Sequence, residues 1–145
     1  MAQDKLSRVY IVAGRVLLAL YFLLPGVAKL AAPGTQLSLM EHHGIAYAST
    51  LLMIAGIAQV LGALALMTNR HIRLVSLGFV LYILVINGLM HDFWHFTGEE
   101  AAHEAQNFIK NLGILAGLLV LAGFSPKRGF GLKGLWKSDG AMPRD

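Results

Sequence analysis

The chain has 145 residues, 56% of them hydrophobic and 14% charged, with a formal net charge of +4. A water-soluble domain carries roughly 25% charged residues, so this composition excludes an ordinary soluble globule and requires that apolar surface face lipid or partners. The absence of cysteine excludes disulfide relays, thiolate zinc sites, iron–sulfur clusters and haem c attachment through Cys-x-x-Cys-His.

A helix needs about 20 mostly apolar residues to cross the hydrocarbon core. Such stretches run from about Val9 to Leu30, Ala46 to Met67, Leu74 to Met90 and Phe108 to Phe124. The expected fold is therefore an all-α integral membrane four-helix bundle occupying the whole chain as one domain. The segment before the first span does not read as a cleaved signal, because the apolar run is too long and contains Arg15. Between the spans lie a Pro33-Gly34 loop ending in Glu41-His42-His43, a basic turn Asn69-Arg70-His71-Ile72-Arg73, and an acidic loop from His91 to Gln106. Ser125-Pro126 stops the fourth span. The tail from 125 to 145, with Phe130, Leu135 and Trp136 among lysines, is expected to be cytoplasmic and to lie along the interface.

Basic residues in short loops set membrane orientation. Lys5 and Arg8, then Arg70 and Arg73, then Lys127, Arg128, Lys133, Lys137 and Arg144 share one side by parity of crossings. Glu41, Asp92, Glu99, Glu100 and Glu104 fall on the other. Both termini are thus expected in the cytoplasm, with the acidic loops outside (the periplasm, in a bacterial cell). The same placement explains the basic charge without nucleic acid as a partner.

Polar groups at membrane depth each need a reason. Arg15 either snorkels to the inner headgroups or pairs with Gln59 of the second span. At the outer level, Lys29 ends the first span, and Asn87, His91 and His95 recur at i, i+4 and i+8, sharing a face if the helix continues. Asp92 is adjacent. His103, Glu104, Asn107, Lys110 and Asn111 form a polar face at the start of the fourth span. Five of the six histidines fall on this side. The layer reads in two ways. One is a hydrogen-bonded cap, with Asp92 paired to Lys110 or Lys29. The other is a site, in which His91 and His95 with Glu99 or Glu104 hold a divalent metal. Pro25-Gly26 predicts a kink that frees the Tyr21 carbonyl. Gly113 and Gly117, and Ala58 and Gly62, predict close helix approach. Phe93, Trp94 and Tyr47 fit an outer aromatic belt, and Trp136 an inner anchor.

The run Gly14-Arg15 through Phe22, Pro25-Gly26 and Lys29 resembles the opening segment of the DoxX family of small bacterial membrane proteins. His91-Asp92-Phe93-Trp94 followed by Asn107-Phe108-Ile109-Lys110-Asn111-Leu112 resembles the family more strongly, and the likeness extends from about Arg8 to Phe124. The resemblance implies a subunit of a quinone-linked membrane oxidoreductase, since the family takes its name from a thiosulfate:quinone oxidoreductase subunit. By that analogy His91, Asp92, Lys110 and Asn111 contact or protonate the quinone, with Lys29, Arg15 and Asn87 completing the cofactor-binding set. Family members often place an acidic residue where this chain has Gln59, so Arg15 lacks that counter-charge. The electron donor must then be a membrane or periplasmic protein partner. Two other functions fit the sequence: a non-enzymatic scaffold or assembly factor, and a small transporter or metal carrier that works as a homo-oligomer.

Overall fold

The structure is a computed structural model that describes residues 5–128 and 134–141; Phe130, Lys133 and Arg144 of the tail lie outside the described residues. The elements are α1 (Lys5–Ala31), α2 (Gly34–His42), α3 (Ala48–Met67), α4 (Ile72–Met90), a 3-10 turn (Phe93–His95), α5 (Gly98–Phe124) and a second 3-10 turn (Asp139–Ala141). Four helices, α1, α3, α4 and α5, are long and apolar enough to cross a membrane, as the hydropathy requires.

The buried positions explain why the four associate. On α3 they are Ala48, Leu52, Gly56, Gln59, Ala63 and Leu66, and on α4 Ile72, Ser76, Phe79, Ile83, Asn87 and Met90. Steps of three and four residues put each set on one stripe. Leu17, Leu61, Leu81 and Ile109 point the other way and are exposed, as lipid-facing residues should be. The centre of the bundle holds Phe22 of α1 stacked flat on Phe79 of α4, ring centroids 3.8 Å apart. Gly62 makes room for that ring: a Cβ added there would stand 2.6 Å from Phe79 Cζ. Gly26 and Gly56 likewise let α1 and α3 approach, with Gln59 and Leu30 filling the space beside them. Of the small residues singled out in the sequence, Gly62 acts as expected, whereas Gly113 faces open space and Ala58 is exposed.

Three expectations are corrected. The fourth helix begins at Gly98, not near Phe108, so the polar segment up to Asn107 is helical and extends beyond the hydrocarbon layer. The third helix stops at Met90, so His91 and His95 do not share a helical face; His95 belongs to the separate turn Phe93–His95. Nineteen residues span about 28 Å, close to the hydrocarbon thickness, and beyond it the side chains of His91 and Asp92 bond other partners. Arg15 does not meet Gln59. Gln59 packs against Gly26, eleven residues further along α1, and this register brings Arg15 to Asn69 at the end of the bundle. Helix α1 continues through Pro25 to Ala31.

The helices are not packed equally. α1 lies chiefly on α3 and α4 chiefly on α5, while α1 and α5 touch only narrowly. That weak seam leaves a groove, described below. Arg15, Arg70, Arg73 and Arg128 gather at one end of the bundle, and Asp92, Glu100 and Glu104 at the other.

Candidate functional site

At the acidic end, carboxylates and imidazoles pair one with another. His91 Nδ1 lies 2.6 Å from Glu104 Oε2, and His95 Nδ1 lies 2.6 Å from Asp92 Oδ2. The other Asp92 oxygen takes His43 Nδ1 at 3.1 Å, and His42 Nε2 meets Glu100 at 2.8 Å. A carboxylate only accepts, so each of these ring nitrogens carries the proton. His43 is the enclosed member, its side chain 1% exposed, beneath the edge of Phe96. These bonds tie the α2 segment to the connection between α4 and α5. They also assign His91 and His95 to different acids, and among the described residues no three ligand-type side chains gather as a metal site would require.

The sequence-derived layer is therefore only partly assembled. Asp92, His91 and Glu104 belong to it. Lys110 is exposed on α5, and neither it nor Lys29 hydrogen-bonds or ion-pairs with any described residue. His103 is also exposed. The pairing of Asp92 with lysine is replaced by pairing with His43 and His95.

One level deeper runs a ladder of neutral groups. Tyr21 Oη donates to Asn111 Oδ1 at 2.9 Å, Asn111 Nδ2 donates to Asn87 Oδ1 at 2.8 Å, and Asn87 Nδ2 donates to the Phe108 carbonyl at 3.2 Å. Asn111 and Asn87 are buried, and Glu104 and Asn111 fall seven residues apart on the buried stripe of α5. Amide and hydroxyl groups in a bundle core cost little when bonded in this way, each such contact contributing roughly 0.6 kcal/mol.

Tyr21 also lines the groove between α1 and α5. This groove measures about 610 Å³ and is walled by Tyr10, Ile11, Gly14, Leu17 and Leu18 on one side and Ile114, Gly117, Val120, Leu121 and Phe124 on the other. Its walls are almost wholly apolar. Arg15 lines it too, alongside the phenols of Tyr10 and Tyr21, bonded through Nη1 to Asn69 Oδ1 and with Nε buried and unpartnered. So Arg15 and Lys29, joined in the expected set, lie at separate levels of α1.

The basic end is held by different bonds. Arg73 Nε donates to the Ala122 carbonyl at 3.0 Å, and Arg128 donates to the carbonyls of Gly134 and Lys137. Asp139, with a side chain 3% exposed, accepts from Arg128 at 2.9 Å and from the backbone amides of His71 and Ile72 at 3.1 and 2.8 Å. Those amides open α4, where a helix leaves its first N–H groups unbonded. Residues 134–141 thus dock on the basic end of the bundle, with Trp136 left exposed.

Tyr21, Asn69 and Asp139 were not singled out from the sequence. Tyr21 carried a usable signal, as a phenol near mid-span that needs a hydrogen-bond partner when partly buried. Asp139 carried none, because two of its partners are backbone amides almost seventy residues away.

Four spanning helices, the two-ended charge distribution and an apolar core crossed by a short polar ladder define a multi-pass membrane protein. The DoxX family matches residues 10–92, more than half of the chain, and the protein belongs to that family. It is 25% identical over 114 residues to the inner membrane protein YphA of Escherichia coli (strain K12), covering 79% of this chain and 81% of that relative. Together with the four spans, this likeness makes it a multi-pass protein of the inner membrane. No solved structure matches. The family match ends at Asp92, so the Asn107–Leu112 motif lies beyond it.

Proposed function

We propose that this DoxX-family protein is the membrane subunit of a quinone-linked oxidoreductase system, and that the quinone ring rests in the groove between α1 and α5 rather than in the acidic-end layer. The observation that carries this reading is the groove itself: large enough for a ring and the start of an isoprenoid tail, apolar along most of its walls, with polar groups only on Tyr10, Arg15 and Tyr21. A quinone accepts two electrons and two protons. Arg15, which lines the groove, offers guanidinium donors suited to a ring carbonyl. Tyr21 has committed its proton to Asn111, which leaves its oxygen as an acceptor for a ring hydroxyl.

Asn111 and Asn87 do not exchange protons near neutral pH; their role is to hold the Tyr21 hydroxyl in one orientation. The titratable pair nearest the ladder is His91 with Glu104, one helical turn from Asn87, and it is the group through which protons would pass to the acidic side. By the distribution of basic residues that side is the periplasm and both termini are cytoplasmic. Nothing on the chain supplies electrons, so a protein partner must.

Photo-crosslinking with an azido-quinone in lipid nanodiscs tests the reading. Label is expected on α1 between Tyr10 and Tyr21 and on α5 between Ile114 and Phe124, competed by unmodified quinone. Arg15→Ala and Tyr21→Phe are each expected to weaken labelling several-fold. Label spread evenly over the lipid-facing helices, or label that excess quinone does not remove, overturns it.

The mutual pairing of the acidic-end side chains favours a second reading, a non-enzymatic scaffold whose polar layer is a tie. In that case His91→Ala lowers stability, the protein co-purifies with a stoichiometric membrane partner, and the groove takes up no quinone.

A further inference from the structure

We infer that residues 134–141 form a clasp that closes the basic end of the bundle and fixes Arg15 at the groove, so that docking of the tail regulates what the groove can bind. The inference rests on the reading that the groove holds a ligand, and it adds residues, Asn69 and Asp139, that the ligand itself does not touch.

The clasp is built on Asp139. Its carboxylate takes the place of the missing carbonyls at the start of α4, accepting from His71 and Ile72, and holds Arg128 from the end of α5. Its own backbone N–H donates to the Asn69 carbonyl at 2.7 Å. The His71 ring bonds the Leu135 carbonyl at 2.9 Å, a second attachment on the same turn. Asn69 and His71 both have positive φ, 57° and 49°. Residues other than glycine keep that conformation when surrounding bonds hold them there, and here the tail supplies those bonds.

Asn69 is the link to the groove. Its backbone is held by Asp139, and its side chain accepts from Arg15 Nη1. Among the described residues the Arg15 side chain has no ion pair and no hydrogen bond other than the one it donates to Asn69. One neutral amide therefore sets where the guanidinium sits, and the tail sets where that amide sits. Release of the tail removes the Asn69 anchor and lets the long Arg15 side chain turn away from the groove. The device needs no movement of the helices. It converts an event at the tail into a change of one cation at the groove wall.

The test uses the full chain in nanodiscs and two readouts that do not depend on each other. The first is amide exchange of residues 69–72 and 134–141. The second is the mobility of a nitroxide at Gly14→Cys, a groove position with open space for a side chain in a chain with no native cysteine; affinity for the azido-quinone is measured alongside. Asp139→Ala is expected to speed exchange in both segments, to loosen the nitroxide, and to weaken the quinone analogue about tenfold, the effect of losing one hydrogen bond to a charged group. Asn69→Ala is expected to loosen the nitroxide and weaken the analogue equally while the tail stays protected. Asp139→Asn keeps the side-chain shape and should fall between wild type and Asp139→Ala. Fast exchange of residues 134–141 in the wild type overturns the clasp. Faster exchange in Asp139→Ala with an unchanged nitroxide overturns the link to Arg15. Should the wild type bind no quinone analogue, the proposed function fails, while exchange and nitroxide mobility still decide the clasp.

Discussion

The two ends of the bundle are closed by opposite chemistry. At the acidic end every tie joins two ionisable side chains, an imidazole and a carboxylate. At the basic end the arginines bond mainly backbone carbonyls, and Asp139, the single acid there among the described residues, bonds backbone amides as well as Arg128. The difference shows where each end takes its stability from. The acidic end is held by pairs that have alternatives, since Asp92 serves two histidines and several members are exposed. The basic end converges on one buried carboxylate, and three segments depend on it.

The comparison predicts a graded series. Asp139→Ala should have the largest effect on stability, about 3–5 kcal/mol, because it removes the buried carboxylate that pairs with Arg128 and leaves two helix-opening amides unmatched. Thermal unfolding in lipid or mild detergent measures it, and a loss no larger than that of an acidic-end substitution would erase the asymmetry. His91→Ala comes next, at about 1–3 kcal/mol, the cost of leaving the buried Glu104 carboxylate without its donor; restoration of most of this by Glu104→Gln in the same chain would show that the pair, and not the ring's packing, matters. His95→Ala should be smallest, below about 0.5 kcal/mol, since its side chain is 67% exposed and His43 still holds Asp92. A His95 effect as large as that of His91 would mean that the acidic end has no spare ties.

Hydropathy and the placement of basic residues were sufficient to read the four crossings and the common side of both ends, because the bilayer imposes length and loop charge directly. The acidic-end layer was legible in its membership but not in its pairings. Asp92 was assigned to lysines because opposite charges were in the sequence at one depth, yet both lysines carry long flexible chains, and on α5 the stripe that faces inward contains Glu104 and Asn111, not Lys110. The supposed helical face of His91 and His95 failed for a related reason: the helix ends where hydrocarbon ends, and periodicity cannot be extended past that point. Helix register was the least legible feature. Depth alone matches Arg15 with Gln59, but Gly26 is the residue that packs on Gln59, and that register carries the arginine to the turn at Asn69. The groove could not be read at all, since it arises where the first and last spans make only a narrow contact.

That narrow seam has a consequence for how a hydrophobic molecule would arrive. A cleft that opens sideways between two helices is reached by travel within a leaflet, in two dimensions, without crossing water or prising the bundle apart. Its occupancy would follow the mole fraction of the molecule among the lipids rather than its vanishing aqueous concentration, so modest affinity would suffice to keep it filled.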